Sequence, residues 1–78
     1  MIITDEKRVV LKKVYALVKN NRKFGDIMKE CNISRTELET VRRGIYYKIK
    51  MDVLISRMSQ IQEGMTDDEI SIIIRGVR

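Results

Sequence analysis

The chain of 78 residues has no histidine and a single cysteine, Cys31. With so few ligating side chains and no clustered carboxylates, little remains from which to build a transition-metal site. A lone thiol forms no internal disulfide. Cys31 falls on the apolar face of its segment, which predicts a small core hydrophobe in a reducing compartment. A nucleophile with a neighbouring base is missing, and so is a glycine-rich phosphate loop. These absences argue against an enzyme, and nothing in the chain suggests a cofactor or a small-molecule ligand. The first residues, MIITDEKR, put acidic side chains where a signal peptide needs a basic region and then an apolar run. No apolar stretch approaches the ~20 residues that span a bilayer. The expectation is a cytoplasmic protein with no membrane contact.

Proline is also absent, and four glycines punctuate the chain. Val, Ile and Leu recur at helical spacing through most of it. That predicts an all-α fold, a compact bundle of about five short helices in one domain over residues 1–78. A domain this small buries only about 60% of its unfolded surface, so it gains from oligomerisation.

The first helix is expected from about Asp5 to Asn20, capped by Thr4 or Asp5, with Asp5 and Glu6 at its positive end. Val10, Leu11, Val14, Leu17 and Val18 form its buried stripe, and Lys12, Lys13 and Lys19 face outward. Two further helices follow at about 24–31 and 34–43, with Phe24 as a core anchor. Residues 45–51, IYYKIKM, alternate as a strand does, but a strand here has no partner in the chain unless a second copy supplies one. Continuing the third helix through Gly44 would cost about 1 kcal/mol relative to alanine. The preferred reading is a short connection, then a helix from about Met51 to Gln62 capped by Asp52. Leu54, Ile55, Met58 and Ile61 line its inner face. The last helix spans about 66–77. Thr66 and Glu69 have capping-box spacing, and Asp67 and Asp68 add negative charge at its start.

Residues 24–44, FGDIMKECNISRTELETVRRG, carry the clearest functional signal. Ile27, Cys31, Ile33, Leu38 and Val41 recur as the inner faces of two short helices require. Asn32 tolerates the left-handed backbone that ends the first of them. Ser34 restarts the helix, three residues before Glu37, the spacing of a capping box. This stretch resembles the helix-turn-helix superfamily of small phage and bacterial regulators, in its lambda-repressor-like branch. Asn32 stands where the family has its turn glycine, Met28 where it has a small residue, and Gly44 closes the second helix.

The resemblance implies that the third helix reads DNA in the major groove. Ser34, Arg35, Thr36, Glu39, Thr40 and Arg43 would face the groove, and Arg42, Lys48 and Lys50 would flank it on the phosphates. Arg35 and Arg43 suit guanine edges or phosphate, and Ser34, Thr36 and Thr40 suit phosphate or a base. Glu39 accepts only from cytosine and otherwise faces repelling phosphates. Tyr46 and Tyr47 are expected to pack over the motif with their hydroxyls in water, the other reading being contact with a base or a phosphate.

Charge divides unevenly. Residues 1–51 hold thirteen Lys or Arg and six Asp or Glu, whereas residues 52–78 hold three and five. A basic front half containing the motif suits a polyanion. Ile70, Ile72, Ile73, Ile74 and Val77 wrap more than one face of the last helix, which predicts a homodimer contact there. Together these features predict a small dimeric transcription regulator that binds operator DNA through its third helix. The mixed charge of that helix keeps a second reading open: an adaptor of the same fold that binds another transcription regulator and changes its DNA binding.

Overall fold

In the computed structural model, which describes residues 1–76, the chain forms five helices: α1 (Asp5–Lys19), α2 (Phe24–Cys31), α3 (Arg35–Tyr46), α4 (Met51–Met58) and α5 (Asp67–Arg75). No strand occurs among the described residues. The radius of gyration is 11.5 Å, the value of a compact chain of this length.

Local chemistry sets the helix starts. Thr4 caps α1, its hydroxyl accepting from the Lys7 amide at 3.1 Å. Ser34 opens α3 with a complete capping box: the Glu37 amide donates to Ser34 Oγ at 3.1 Å, and the Ser34 amide donates to Glu37 Oε1 at 3.0 Å. Thr66 and Glu69 repeat the device at α5, at 3.2 and 3.0 Å. Each box satisfies two amides that the first turn leaves without partners. Asn32 ends α2 at φ 50°, in the left-handed region, and Ile33 buries itself in the corner that follows.

α3 is the hub and packs against each of the other four helices. Leu38 and Val41 of α3 join Leu11 and Val14 of α1, Ile27 of α2, Leu54, Ile55 and Met58 of α4, and Ile70 and Ile74 of α5 in one core. Ile33 and Ile61 add to it from the connections. Phe24, Met28 and Cys31 of α2 lie half-buried at its edge.

The structure corrects the boundaries expected around Gly44. The glycine does not close α3, which runs on to Tyr46. Gly44 is buried, and a β-carbon there would lie 2.9 Å or less from the Leu54 side chain. The missing side chain lets α4 approach α3, and this packing outweighs the modest propensity cost of glycine inside a helix. The alternating apolar pattern at 45–51 therefore reflects a helix end and a turn. Amides of Lys48 and Ile49 donate back to the Ile45 and Gly44 carbonyls at 2.9 and 3.0 Å, with Lys48 at φ 60°. That is the usual helix-ending pair of bonds, with lysine where glycine is favoured.

Two other boundaries differ. Asp52 does not cap α4. Lys50 holds that position without a side-chain cap bond, and Asp52 lies in the first turn. α4 ends at Met58, and Ile61 reaches the core from the connection beyond it.

Candidate nucleic-acid interface

Four helices cover α3, and the one face they leave open is polar. Arg35, Glu39 and Arg42 follow one another at spacings of four and three residues and so share that face. Arg35 is more open than Glu39, with 74% of its side chain exposed against 39%. Its Nε lies 3.1 Å from Glu39 Oε1, an ion pair of the i, i+4 kind. Arg42 is exposed, and among the described residues it forms no ion pair.

The remaining positions of the expected reading head are less uniform. Ser34 is exposed, but its hydroxyl is engaged in the capping box. Thr36 is exposed beside Arg35. Thr40 does not face outward. It is 1% exposed, and its hydroxyl donates to the Thr36 carbonyl at 2.7 Å. The spacing placed Thr40 one step too generously, because the covered arc of α3 extends past the apolar residues and takes in a threonine whose hydroxyl is satisfied within the helix. Arg43 keeps only 19% of its side chain in solvent and leans toward Asp67 of α5, with Nη2 3.9 Å from Oδ1.

Glu37 turns away from this face. Its side chain is 13% exposed and meets Lys7 Nζ of α1 at 2.7 Å. Burial pushes its carboxyl up. The Lys7 ammonium and the Ser34 amide and hydroxyl outweigh that, so the carboxyl settles below the ordinary 4.5. Of the two glutamates of α3, Glu39 is therefore the one that interrupts the open face.

Lys48 and Lys50 lie beyond α3, exposed on its connection to α4. The Tyr15 hydroxyl of α1 ties this connection down by donating to the Ile49 carbonyl at 2.9 Å. Lys19 Nζ sits 5.6 Å from the centre of the Tyr15 ring, and Lys12 Nζ lies 3.9 Å from Asp52. Helical spacing alone marks Lys12 and Lys19 as the solvent face of α1. The Lys12 contact with Asp52 depends on how α1 meets the start of α4, for which local spacing carries no signal.

The surface expected for self-association is reduced. Ile70 and Ile74 are buried in the chain's own core at 6% and 0% exposure and cannot also face a second copy. α5 packs between α3 and α4, which takes up one side of it. Ile73 is half-buried, and Ile72 stays open at 54% exposure. Val77 lies outside the described residues.

No helix of the described residues is long and apolar enough to cross a membrane. Neither a protein-family model, nor a characterised protein, nor a solved structure matches this chain.

Proposed function

We propose that the chain is a small, non-enzymatic transcription regulator that binds double-stranded DNA through α3, acting as a homodimer. One observation carries the reading. α3 is packed on all sides but one, and its open face presents Arg35, Thr36 and Arg42 on a helix that begins with a tight turn from α2. A helix held this way can enter a major groove without unfolding its support. The likeness of residues 24–44 to lambda-repressor-like helix-turn-helix regulators supports the same use. Lys48 and Lys50, exposed past the end of α3, suit flanking phosphates. Among the described residues of the expected dimer contact, Ile72 is the one left exposed, on the outer side of α5.

One feature favours the adaptor reading. Glu39 sits in the middle of the open face and already holds Arg35. A surface of alternating sign suits a protein partner, such as another transcription regulator, better than a run of phosphates.

Selection from a pool of genomic fragments, followed by footprinting with the protein alone, tests the DNA reading. Arg35→Ala should weaken binding to a selected site by about 1–3 kcal/mol if it reads a base edge. Lys50→Ala should weaken all sequences alike and flatten the salt dependence. Glu39→Lys should raise affinity for DNA of any sequence. Absence of a footprint at physiological salt, together with tight binding to another regulator that Glu39→Lys disrupts, would replace the DNA reading with the adaptor.

A further inference from the structure

At the far end of α3 from Arg35, Arg42, Arg43, Tyr46 and Tyr47 surround a shallow notch of about 220 Å³. Arg75, from the end of α5, lies against one of its lining residues, Tyr47. Its guanidinium carbon lies 5.3 Å from the centre of the Tyr47 ring. Tyr46 and Tyr47 meet edge to face, with centres 5.6 Å apart and planes at 71°. The two rings therefore differ in role. Tyr47 has Arg75 over its ring and braces Tyr46 from the side. Tyr46 is 77% exposed, an open aromatic surface with Tyr47 against its edge.

We infer that this notch binds an unpaired nucleotide of a single-stranded nucleic acid, with the base stacked on Tyr46 and the adjoining phosphates held by Arg42, Arg43 and Arg75. This contact shares Arg42 with the face proposed to read duplex DNA, but it is centred on Tyr46 and does not need Arg35. Arg42 and Arg43 line the notch and Arg75 lies over Tyr47 beside it, and among the described residues the one carboxylate paired with these three arginines is Asp67, 3.9 Å from Arg43 and almost fully exposed. Such a charge balance attracts a polyanion. The aromatic surface narrows the choice. Bases in a duplex hide their faces in the stack, whereas an unpaired base can lie on a tyrosine while arginines track the backbone. The notch is smaller than the ~300–1,000 Å³ of pockets that enclose a free small molecule. It suits one ring of a chain that continues past it on both sides.

Labelled thymidine and uridine 12-mers, a blunt duplex and an oligoglutamate peptide provide the test, read by fluorescence anisotropy. Tyrosine emission gives a second readout, since the chain has three tyrosines and no tryptophan. Either single strand should bind and quench that emission. Tyr46→Ala should weaken single-strand binding by roughly 5- to 100-fold, the range expected for losing one stacked base. Tyr46→Phe should retain it. Arg75→Ala should weaken it and reduce its salt dependence. Arg35→Ala, at the other end of α3, should leave it unchanged. The proposal is overturned if Tyr46→Ala binds the single strands as wild type does, if quenching is absent, or if oligoglutamate binds as tightly. Loss of duplex binding in Arg35→Ala with the single-strand response intact would separate the two contacts. The DNA reading can fail while this one stands, and the converse also holds.

Discussion

Glu37 of α3 and Lys7 of α1 meet at 2.7 Å, and the same carboxylate closes the capping box of α3. One side chain thus starts the helix and fastens it to its neighbour. Its carboxyl lies below the ordinary 4.5 in the folded chain, as does that of Glu69 through its bonds to Thr66. A carboxylate with a depressed folded pKa contributes stability in full above its unfolded value and loses it as pH falls through the folded one. Thermal melts between about pH 3 and 6 should show stability falling below about 4.5. Glu37→Gln should lower stability at neutral pH by about 1 kcal/mol, in the range of a single ion pair with a modest bond network. It should also flatten the acid limb. An acid limb as steep as wild type in Glu37→Gln would show that another group controls it.

Gly44→Ala should destabilise the fold even though alanine is the better helix former. The gain in propensity is about 1 kcal/mol. Against it stands a β-carbon that would overlap the buried Leu54 side chain. Overpacking of this kind costs about 1–3 kcal/mol. Gly44→Ala with Leu54→Ala should recover part of the loss, and a double-mutant cycle measured by urea unfolding gives the coupling directly. Purely additive effects would place Leu54 elsewhere.

Lys48→Gly should act in opposite directions on stability and binding. Lysine at φ 60° carries a strain that glycine lacks. The fold should gain about 0.5–1 kcal/mol. DNA affinity should fall equally for all sequences, with a shallower salt slope, if Lys48 contacts phosphate. Calorimetry and a salt titration on the same variant check both halves.

Ile72→Glu should leave the fold intact, because Ile72 is the exposed isoleucine of α5. If the outer side of α5 forms the dimer, light scattering should give twice the monomer mass for wild type and the monomer mass for the variant. Ile74→Glu, by contrast, should unfold the chain, since it puts a charge into a fully closed core. A wild type that stays monomeric at high concentration would remove the dimer.

Local devices were the most legible part of the fold. Thr4, Ser34 with Glu37, Thr66 with Glu69, and Asn32 act within three or four residues of themselves, so spacing alone reveals them. Helix faces were legible where apolar residues dominate, as with Leu11 and Val14. What was missed depends on contacts between distant elements. Gly44 looked like a helix end because Leu54, which needs the gap, lies in the next helix. Thr40 looked exposed because its hydroxyl turns inward to Thr36. The isoleucines of α5 looked surplus because the core that receives Ile70 and Ile74 is assembled from all five helices. Arg75 drew no attention, since nothing near it in the chain announces Tyr47.

The central placement of α3 bears on how fast and how selectively the chain can recognise anything. A surface helix fastened on one side can tilt or fray to suit a ligand. α3 is wedged among four others, which leaves its backbone little room to tilt or fray on contact. Ordering costs at the moment of association are then small. A partner that fits should dock at a rate set by diffusion and charge steering, with no slow rearrangement to follow. One that does not fit gains little from lingering. Discrimination would then reside in the fixed geometry of Arg35, Glu39 and Arg42.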